Sequence, residues 1–279
     1  MIVTRFAPSP TGLLHLGHAF AAIKAFEAGE QFILRIEDLD TARCRDEFVE
    51  AIFEDLHWLG IGWREPVLRQ SERTAAYQEA LHKLHAAGLT YPCFCTRKDI
   101  AGEIARAAEA PSGPDGPIYP GTCRSLTQTE RDERLAVGVP HALRLDVTKA
   151  AEQVGSLTFE EPGQSIDGKM GTIHAQPQLF GDIVLARKDL PASYHLAVVV
   201  DDAHQGVTLV TRGEDLFAAS HVQRLLQALL DLPEPRYAHH KLILDDSGKK
   251  FSKRDKAITL RALREDGWTP AKIRSTLRL

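Results

Sequence analysis

Two groups of side chains that suit nucleotide chemistry lie near opposite ends of the 279-residue sequence. His15, Gly17 and His18 follow a proline-rich loop, and residues 249–254 bring four cations after a glycine-containing turn. Imidazoles at the start of a helix can donate hydrogen bonds to phosphate oxygens, and a glycine there admits a nucleotide close to the backbone. A lysine-rich loop can close over a triphosphate. Each group alone also fits an ordinary helix start or an exposed basic turn, but together they favour an ATP site.

Three of the four cysteines are grouped around a stretch rich in proline and glycine. Cys93, Cys95 and Cys123 lie within 31 residues, far from Cys44. Such sparse cysteines indicate a reducing compartment and no disulfide framework. Zinc prefers four ligands in tetrahedral geometry, so the spacing predicts one structural zinc ion with its fourth ligand open. Free thiols are the alternative.

Composition and charge limit the class of protein. The chain is 43% hydrophobic and 26% charged, and charges interrupt its apolar runs well before the roughly 20 residues of a membrane span. We therefore expect a cytoplasmic globular protein with no membrane partner. Residues 236–279 hold 12 Lys and Arg against 5 Asp and Glu, whereas the rest of the chain is acidic. This asymmetry is typical either of a polyanionic partner or of a solvated basic helix.

The periodicity of the chain predicts an α/β protein. Residues 2–6 and 31–36 read as strands on either side of a helix that begins near Leu16. A strand, helix and strand in this order predict a parallel sheet with a binding crevice beyond the strand ends. Further strands are expected at 91–96, 142–147, 183–186, 197–200 and 207–210, and further helices at 48–56, 76–87, 96–110, 215–230 and twice in the last segment.

Five sequence blocks in a fixed order carry a family resemblance. They are Arg5-Phe-Ala-Pro-Ser-Pro-Thr-Gly12 with His15-Leu-Gly-His18, Arg35-Ile-Glu-Asp38, Val199-Val-Asp-Asp202, Arg212-Gly-Glu-Asp215 and Lys250-Phe-Ser-Lys-Arg254. Together they resemble the class I glutamyl-tRNA synthetases. The resemblance is closest to the short glutamyl-Q tRNA(Asp) synthetase family, which attaches glutamate to the queuosine base of tRNA-Asp. The chain stops 25 residues after Arg254, so we expect no separate anticodon-binding domain.

The resemblance implies a fold and its divisions. It implies the Rossmann-like parallel sheet of a class I aminoacyl-tRNA synthetase catalytic domain, with an insertion that carries the zinc loop. The expected divisions are residues 1–90 for the first half of the Rossmann domain, 91–190 for the insertion with its zinc loop at 93–123, 191–240 for the second half, and 241–279 for the lysine motif and a basic helical end.

The resemblance also implies the site residues. Catalytic stabilisation of charge on the phosphates is expected from His15, His18 and Lys253. The ATP-binding residues would be Pro8, His15, Gly17, His18, Lys250, Ser252 and Lys253. The glutamate-binding residues would be Arg5, Phe6, Ala7, Pro8, Ser9, Glu37, Tyr194 and Arg212. The zinc ligands would be Cys93, Cys95, Tyr119 and Cys123, with the tyrosine supplied by a Tyr-x3-Cys pattern.

The expected reaction has two steps and needs Mg²⁺ with ATP. L-Glutamate attacks the α-phosphorus of ATP to give glutamyl-adenylate, and the glutamyl group then passes to queuosine-containing tRNA-Asp. We expect a monomer. Two alternatives stay open: a small-molecule ligase or nucleotidyltransferase that shares the histidine motif, and a synthetase-like binding protein without catalysis.

Overall fold

The structure is a computed structural model that describes residues 1–106, 112–166, 169–243 and 258–279. Helices α1 to α10 of these residues span, in chain order, Leu16–Ala28, Asp46–Trp58, Thr74–Ala86, Arg97–Arg106, Gln128–Ala136, Val147–Val154, Tyr194–Gln205, Ala219–Leu229, Leu260–Glu265 and Pro270–Leu277. Strands β1 to β12 span Val3–Phe6, Gln31–Ile36, Arg64–Arg69, Thr90–Cys93, Ser112–Gly113, Gly116–Pro117, Ala142–Leu145, Thr158–Ile166, Lys169–His174, Val184–Arg187, Leu209–Gly213 and Arg236–His240. Within these ranges, no helix has both the length and the apolar character that crossing a membrane requires.

Parallel strands form the framework that the sequence predicts. Strands β1, β2 and β3 pair in that order, all parallel, and α1 connects the first two. Strands β11 and β12 form a second parallel pair. The two units meet beside β1, where the backbone N–H of Thr208 donates to the carbonyl of Val3 at 3.0 Å and the Thr208 hydroxyl accepts from the Val3 N–H at 2.9 Å. The carboxyl ends of β1, β2 and β11 therefore lie at one edge, which is where α/β proteins bind ligands.

The strand expected at 197–200 is wrong, because these residues lie inside helix α7. Ser193 caps the helix by accepting from the Leu196 N–H, and Gly206 ends it in the left-handed region at φ 68°. The run of valines has high strand propensity, but α7 is buried on most of its surface, so its apolar residues show no helical spacing. A short apolar run of this kind does not distinguish a central strand from a buried helix.

The middle of the chain forms an antiparallel region that the sequence predicts only in part. Strands β10, β7 and β4 pair antiparallel, close to the predicted positions. The hairpin of β8 and β9, the short helices α5 and α6, and strands β3 and β12 were not expected. Helix α4 ends at Arg106 in the structure, and the last residues of its expected range, 107–110, lie outside the described residues.

Helices α9 and α10 pack against the N-terminal half. Leu260 and Ile273 are fully buried in the same core as Ile23 and Ile52, which belong to α1 and α2. Thr269 caps α10 by accepting from the Lys272 N–H. The residues after the lysine motif are thus held on the part of the protein that carries the histidine motif.

Several cations of the basic C-terminal region are already paired. Arg264 forms ion pairs with Glu54 at 3.3 Å and with Asp55 at 3.8 Å, and Arg274 pairs with Glu27. These arginines hold α9 and α10 on α2 and α1. The excess of Lys and Arg in this region therefore overestimates the number of cations that could bind a polyanion.

A buried carboxylate fixes α7 against the first half of the chain. Asp201 is fully buried and accepts hydrogen bonds from Gln70 Nε2 at 2.9 Å, from the Tyr77 hydroxyl at 2.7 Å and from Arg73 Nε at 3.2 Å. Burial and the neighbouring carboxylate raise the pKa of Tyr77, so its hydroxyl remains a donor. All three donors come from α3 or the turn that precedes it.

Replacing this carboxylate is expected to destabilise the protein strongly. Asp201→Asn should lower the free energy of unfolding by about 3 kcal/mol, because an amide NH2 would face donors and leave Arg73 without its charge partner. Urea denaturation measures the change. The matched control is Asp231→Asn, at an exposed position with φ 55° that asparagine tolerates, and it should stay within about 0.5 kcal/mol of wild type. Equal midpoints for the two variants would contradict the assignment.

Candidate active site

The histidine motif caps helix α1 with its own imidazoles. His15 is the N-cap residue, and its Nδ1 accepts from the Gly17 N–H at 3.1 Å, while the Nδ1 of His18 accepts from the His15 N–H at 3.2 Å. The ring centroids lie 3.8 Å apart. Because each Nδ1 is an acceptor, the proton of each neutral ring lies on Nε2. The two rings thus present Nε2–H donors at a helix N-terminus, an arrangement suited to phosphate oxygens.

The proline-rich loop after β1 is tied to the end of β2. The backbone N–H of Glu37 donates to the carbonyl of Pro8 at 3.1 Å, and the N–H of Arg45 donates to that of Pro10 at 3.1 Å. These bonds place residues 6–9, expected to bind glutamate, beside Glu37. The loop is therefore fixed at the carboxyl edge of the sheet.

Two charged side chains, Arg5 and Arg35, meet on the buried carboxylate of Asp202. Arg5 Nε donates to Oδ1 at 3.1 Å, and Arg35 Nη1 donates to the same oxygen at 2.7 Å. Arg35 also reaches Glu37 Oε1 at 3.4 Å, which brings Glu37 into the cluster. Arg5 donates to the Thr211 carbonyl at 3.3 Å, next to Arg212 on β11. The cluster joins β1, β2, α7 and β11.

The two carboxylates of this cluster respond to burial in opposite directions. For Asp202, burial raises the pKa, but the charges of Arg5 and Arg35 outweigh it, so the pKa lies below its usual range. For Glu37, burial dominates the same two arginines and raises the pKa. Glu37 is 12% exposed and is the less satisfied of the two. A cationic group of a ligand next to Glu37 would favour the ionised carboxylate, which burial disfavours.

Arg212 lies in a second, adjoining group. Its Nη1 donates to Gln223 Oε1 at 2.8 Å and lies 3.5 Å from the Tyr194 hydroxyl, and its Nη2 donates to the Ser220 hydroxyl at 2.7 Å. Its Nε donates to His239 Nε2 at 3.0 Å. The side chain is 5% exposed and makes no ion pair with any residue that the structure describes. The sequence-based expectation placed Tyr194 and Arg212 in one pocket, and the structure brings them together.

Sequence reasoning missed several residues of this site. Arg35 and Asp202 belong to the sequence blocks that carry the family resemblance, but the sequence predicts no role for them. It predicts no role for His239 either. Ser220 and Gln223 lie on α8, where they interrupt the apolar face, which was an available signal. Nothing in the sequence pointed to the position of Glu161, because its strand was not expected.

The predicted metal ligands converge in the fold. Cys93 ends β4, and Gly121, with φ 85°, turns the chain between Tyr119 and Cys123. The three Sγ atoms lie within 4.8 Å of one another. The Tyr119 hydroxyl lies 3.4 Å from Cys93 Sγ and 3.5 Å from Cys95 Sγ. Zn–S bonds of about 2.3 Å give tetrahedral S···S edges near 3.8 Å, so this donor set has the right size for zinc.

The surroundings of the cysteines also fit a cation with anionic ligands. Burial raises the pKa of the Cys95 thiol to about 12, so a metal ion would have to displace the proton of this thiol. Burial also acts on Cys123, but hydrogen bonds from Tyr119 and from the Phe94 N–H outweigh it and lower the pKa. The guanidinium of Arg144 lies 3.9 Å from the ring centroid of Tyr119 and would offset excess negative charge.

The lysine motif falls outside the described residues, so no placement is given for Lys250, Ser252 or Lys253. The residues that follow it are placed. Thr259 forms a β-bridge with His15, and the Leu260 N–H donates to the Leu14 carbonyl at 2.8 Å. The chain therefore lies beside the histidine motif at Thr259, five residues after the last residue of the lysine motif.

Comparison with known proteins identifies relatives over the whole chain. The model of the tRNA synthetases class I (E and Q), catalytic domain, matches residues 1–279. The Glutamyl-Q tRNA(Asp) synthetase of Rhodobacter capsulatus is 48% identical over the full length of both proteins. The Glutamate–tRNA ligase of Aquifex aeolicus is 40% identical over 96% of this chain and 55% of its own length.

A solved structure gives the same result for the fold. The crystal structure of the Glutamate-tRNA Synthetase from Elizabethkingia anophelis superposes with a TM-score of 0.76 at 28% identity. The superposition covers 96% of this chain and 59% of that one, so the chain spans little more than half of that longer protein.

The raised pKa of Glu37 makes a prediction about stability. A carboxyl whose pKa is raised on folding is protonated more readily in the folded state, so the protein loses stability as the pH rises above the ordinary carboxyl value. Glu37→Gln removes that loss and should raise the free energy of unfolding near pH 8 by roughly 0.5 to 2 kcal/mol. The gain should shrink towards pH 4.

Urea denaturation of both proteins across this pH range measures the effect. Exposed Glu30 provides the control, since Glu30→Gln should leave stability unchanged at every pH. A Glu37→Gln variant that is less stable than wild type near pH 8 would show that the arginines, and not burial, govern this carboxylate.

Proposed function

The chain belongs to the class I tRNA synthetases for glutamate and glutamine, a family of ligases, and we propose that it activates L-glutamate with ATP and transfers it to the queuosine base of tRNA-Asp. The observation that carries the first half is the buried pairing of two arginines with Glu37 and Asp202 at one sheet edge. Support for the acceptor comes from relatives named for it, one of which matches along the whole of both chains.

The pocket suits an amino acid with two carboxylates. Arg5 and Arg212 each bring a planar guanidinium, which binds carboxylates through parallel N–H bonds. Glu37 would bind the ammonium group, since its carboxylate is buried and poorly satisfied. The neutral amide of glutamine would not compensate for burial of an arginine, so selectivity for glutamate follows.

The histidine motif would stabilise the phosphates during adenylate formation. The glutamate carboxylate is already ionised, so attack on the α-phosphorus needs positioning and charge stabilisation instead of a general base. His15 and His18 would supply their Nε2–H donors, and Lys253 would supply a point charge. Mg²⁺, when bound, would neutralise charge on the pyrophosphate oxygens.

We propose that Cys93, Cys95, Tyr119 and Cys123 hold one structural zinc ion. The size of the donor set and the neighbouring Arg144 support this proposal, and the four residues belong to the proposed insertion at 91–190. When bound, zinc would tie the strand end at Cys93 to the turn at Cys123, which form only a small core of their own.

Glutamylation of a panel of purified tRNAs tests the acceptor. Labelled glutamate should enter tRNA-Asp that contains queuosine and should be nearly absent, at least tenfold lower, on the same tRNA without queuosine and on tRNA-Glu. Preferential labelling of tRNA-Glu would overturn the acceptor and leave glutamate activation intact. ATP turnover to a stable small product without tRNA would favour the nucleotidyltransferase alternative. Absence of glutamate-dependent ATP–pyrophosphate exchange would favour a binding protein.

Metal analysis tests the zinc proposal. The purified protein should contain close to one zinc ion per chain, and Cys123→Ser should lose it and melt at lower temperature. Cys44→Ser is the matched control, because Cys44 lies outside the cluster, and it should keep its zinc. Tyr119→Phe should retain zinc but release it faster to a competing chelator. Wild-type protein without zinc, whose melting temperature does not respond to added zinc, would rule the site out.

A further inference from the structure

A buried chain of hydrogen bonds runs from Glu161 through His239 to Arg212. Glu161 Oε2 lies 2.5 Å from His239 Nδ1, and His239 Nε2 lies 3.0 Å from Arg212 Nε. The side chains of Glu161 and His239 are fully buried, and Arg212 is 5% exposed. Glu161 comes from β8 in the middle of the chain, and the other two come from neighbouring parallel strands, β12 and β11.

The direction of each hydrogen bond is fixed. Guanidinium nitrogens only donate, so His239 Nε2 must accept from Arg212, and the ring proton must lie on Nδ1. That proton is donated to Glu161, a carboxylate that also accepts from the backbone N–H of His239 at 3.0 Å and of Gly163 at 3.2 Å. Burial and the charge of Arg212 lower the pKa of His239 more than the Glu161 carboxylate raises it. The lowered pKa is in keeping with a neutral ring.

The carboxylate of Glu161 is tightly packed between β8 and β12. A Cβ atom at Gly163 would lie 2.4 Å from Glu161 Oε1 and 3.0 Å from the Cα of Ala238. Only glycine therefore allows β8 to approach β12 with the carboxylate between them. The imidazole is enclosed as well, with the rings of Tyr237 and Phe217 at 6.1 Å and 5.2 Å from its own.

The hydrogen bonds from Glu161 through His239 orient Arg212, but they do not neutralise its charge. Arg5 and Arg35 both bond directly to a carboxylate, whereas the described partners of Arg212 are all neutral: His239, Gln223, Ser220 and Tyr194. The imidazole separates Arg212 from Glu161. A buried cation without a carboxylate partner is costly, and an anionic ligand would remove that cost.

We propose that Glu161 and His239 are positioning residues of the amino-acid site, which fix the guanidinium of Arg212 and keep it available for a substrate carboxylate. This inference rests on the proposed function, since it takes glutamate as the ligand of Arg212. Glu161 selects the imidazole tautomer, and the neutral imidazole then accepts from Nε of Arg212. The remaining N–H groups of the Arg212 guanidinium then serve the neutral neighbours and the substrate carboxylate.

The main competing account is that the pair only fastens β8 to β12. Such a role predicts a loss of stability with proportional loss of every activity. The positioning role instead predicts a selective rise in the KM for glutamate, because Arg212 would be misaligned while the ATP-binding residues on α1 are untouched.

Steady-state ATP–pyrophosphate exchange with the full-length protein separates the two accounts. Glu161→Gln should raise the KM for glutamate at least tenfold and change the KM for ATP less than twofold, a size expected for losing one hydrogen bond in a charged network. Glu160→Gln is the matched control on the adjacent, exposed residue, which accepts from the Thr172 hydroxyl, and it should behave as wild type.

A second pair of variants keeps the test decisive if Glu161→Gln folds poorly. His239→Gln retains a neutral acceptor for Arg212, and His239→Leu has a similar size without one. The KM for glutamate should rise more than tenfold in the leucine variant and be substantially restored, to within about fivefold of wild type, in the glutamine variant. Urea denaturation of each variant provides the stability comparison.

The outcomes divide clearly. A selective KM effect with rescue by glutamine supports the positioning role. Equal KM values for glutamate in wild type, Glu161→Gln and His239→Leu overturn it and leave glutamate activation standing. Parallel changes in the KM for ATP and for glutamate, which follow the loss of stability, also overturn it. If wild-type protein shows no glutamate-dependent exchange, the proposed function fails, and this inference fails with it.

Discussion

The carboxylate of Asp202 is the interaction on which the arrangement of the site depends. It pairs at 3.1 Å and 2.7 Å with two arginines from neighbouring strands, Arg5 and Arg35, which would otherwise repel each other in a buried environment. Removing one partner of a buried ion pair costs about 3 to 5 kcal/mol, because the other charge is left without compensation. Asp202 also fixes the depth of α7, and Tyr194 begins that helix. Together with Asp201, which accepts from three donors of the first half, this carboxylate holds α7 beside the sheet edge.

The balance of charges around this carboxylate supports the ligand that we propose for the site. Arg5, Arg35 and Arg212 bring three positive charges, and Asp202 and Glu37 bring two negative ones. Glu161 lies behind the neutral ring of His239 and interacts with Arg212 only through it. The directly interacting groups thus leave an excess of one positive charge, which an amino acid of net charge −1 would neutralise. Glutamine is neutral overall and would leave that charge buried, which is a physical reason for the proposed selectivity.

The parts of this site that could be predicted from sequence are those specified by local pattern. The first strand, helix and strand follow from the hydrophobic period, and the grouping of Cys93, Cys95 and Cys123 is recognisable because cysteine is rare in the chain. Helix α7 was mistaken in part for a strand, since burial on all sides removes its period. Glu161 could not be predicted, because its approach to His239 is set by the packing of β8 on β12, 78 residues away along the chain. A side chain such as Glu161, whose role depends on a partner far away along the chain, leaves no local signal in the sequence.

The placement of the C-terminal helices supports the proposal that two distant motifs act on one ATP molecule. The backbone of His15 pairs with that of Thr259, and Leu260 donates to Leu14, so the chain returns to the histidine motif directly after the lysine motif. Leu260 and Ile273 are buried in the core of α1 and α2, and Arg264 and Arg274 pair with acidic residues of those helices. The anchor is therefore hydrophobic as well as ionic, and salt would weaken only its ionic part.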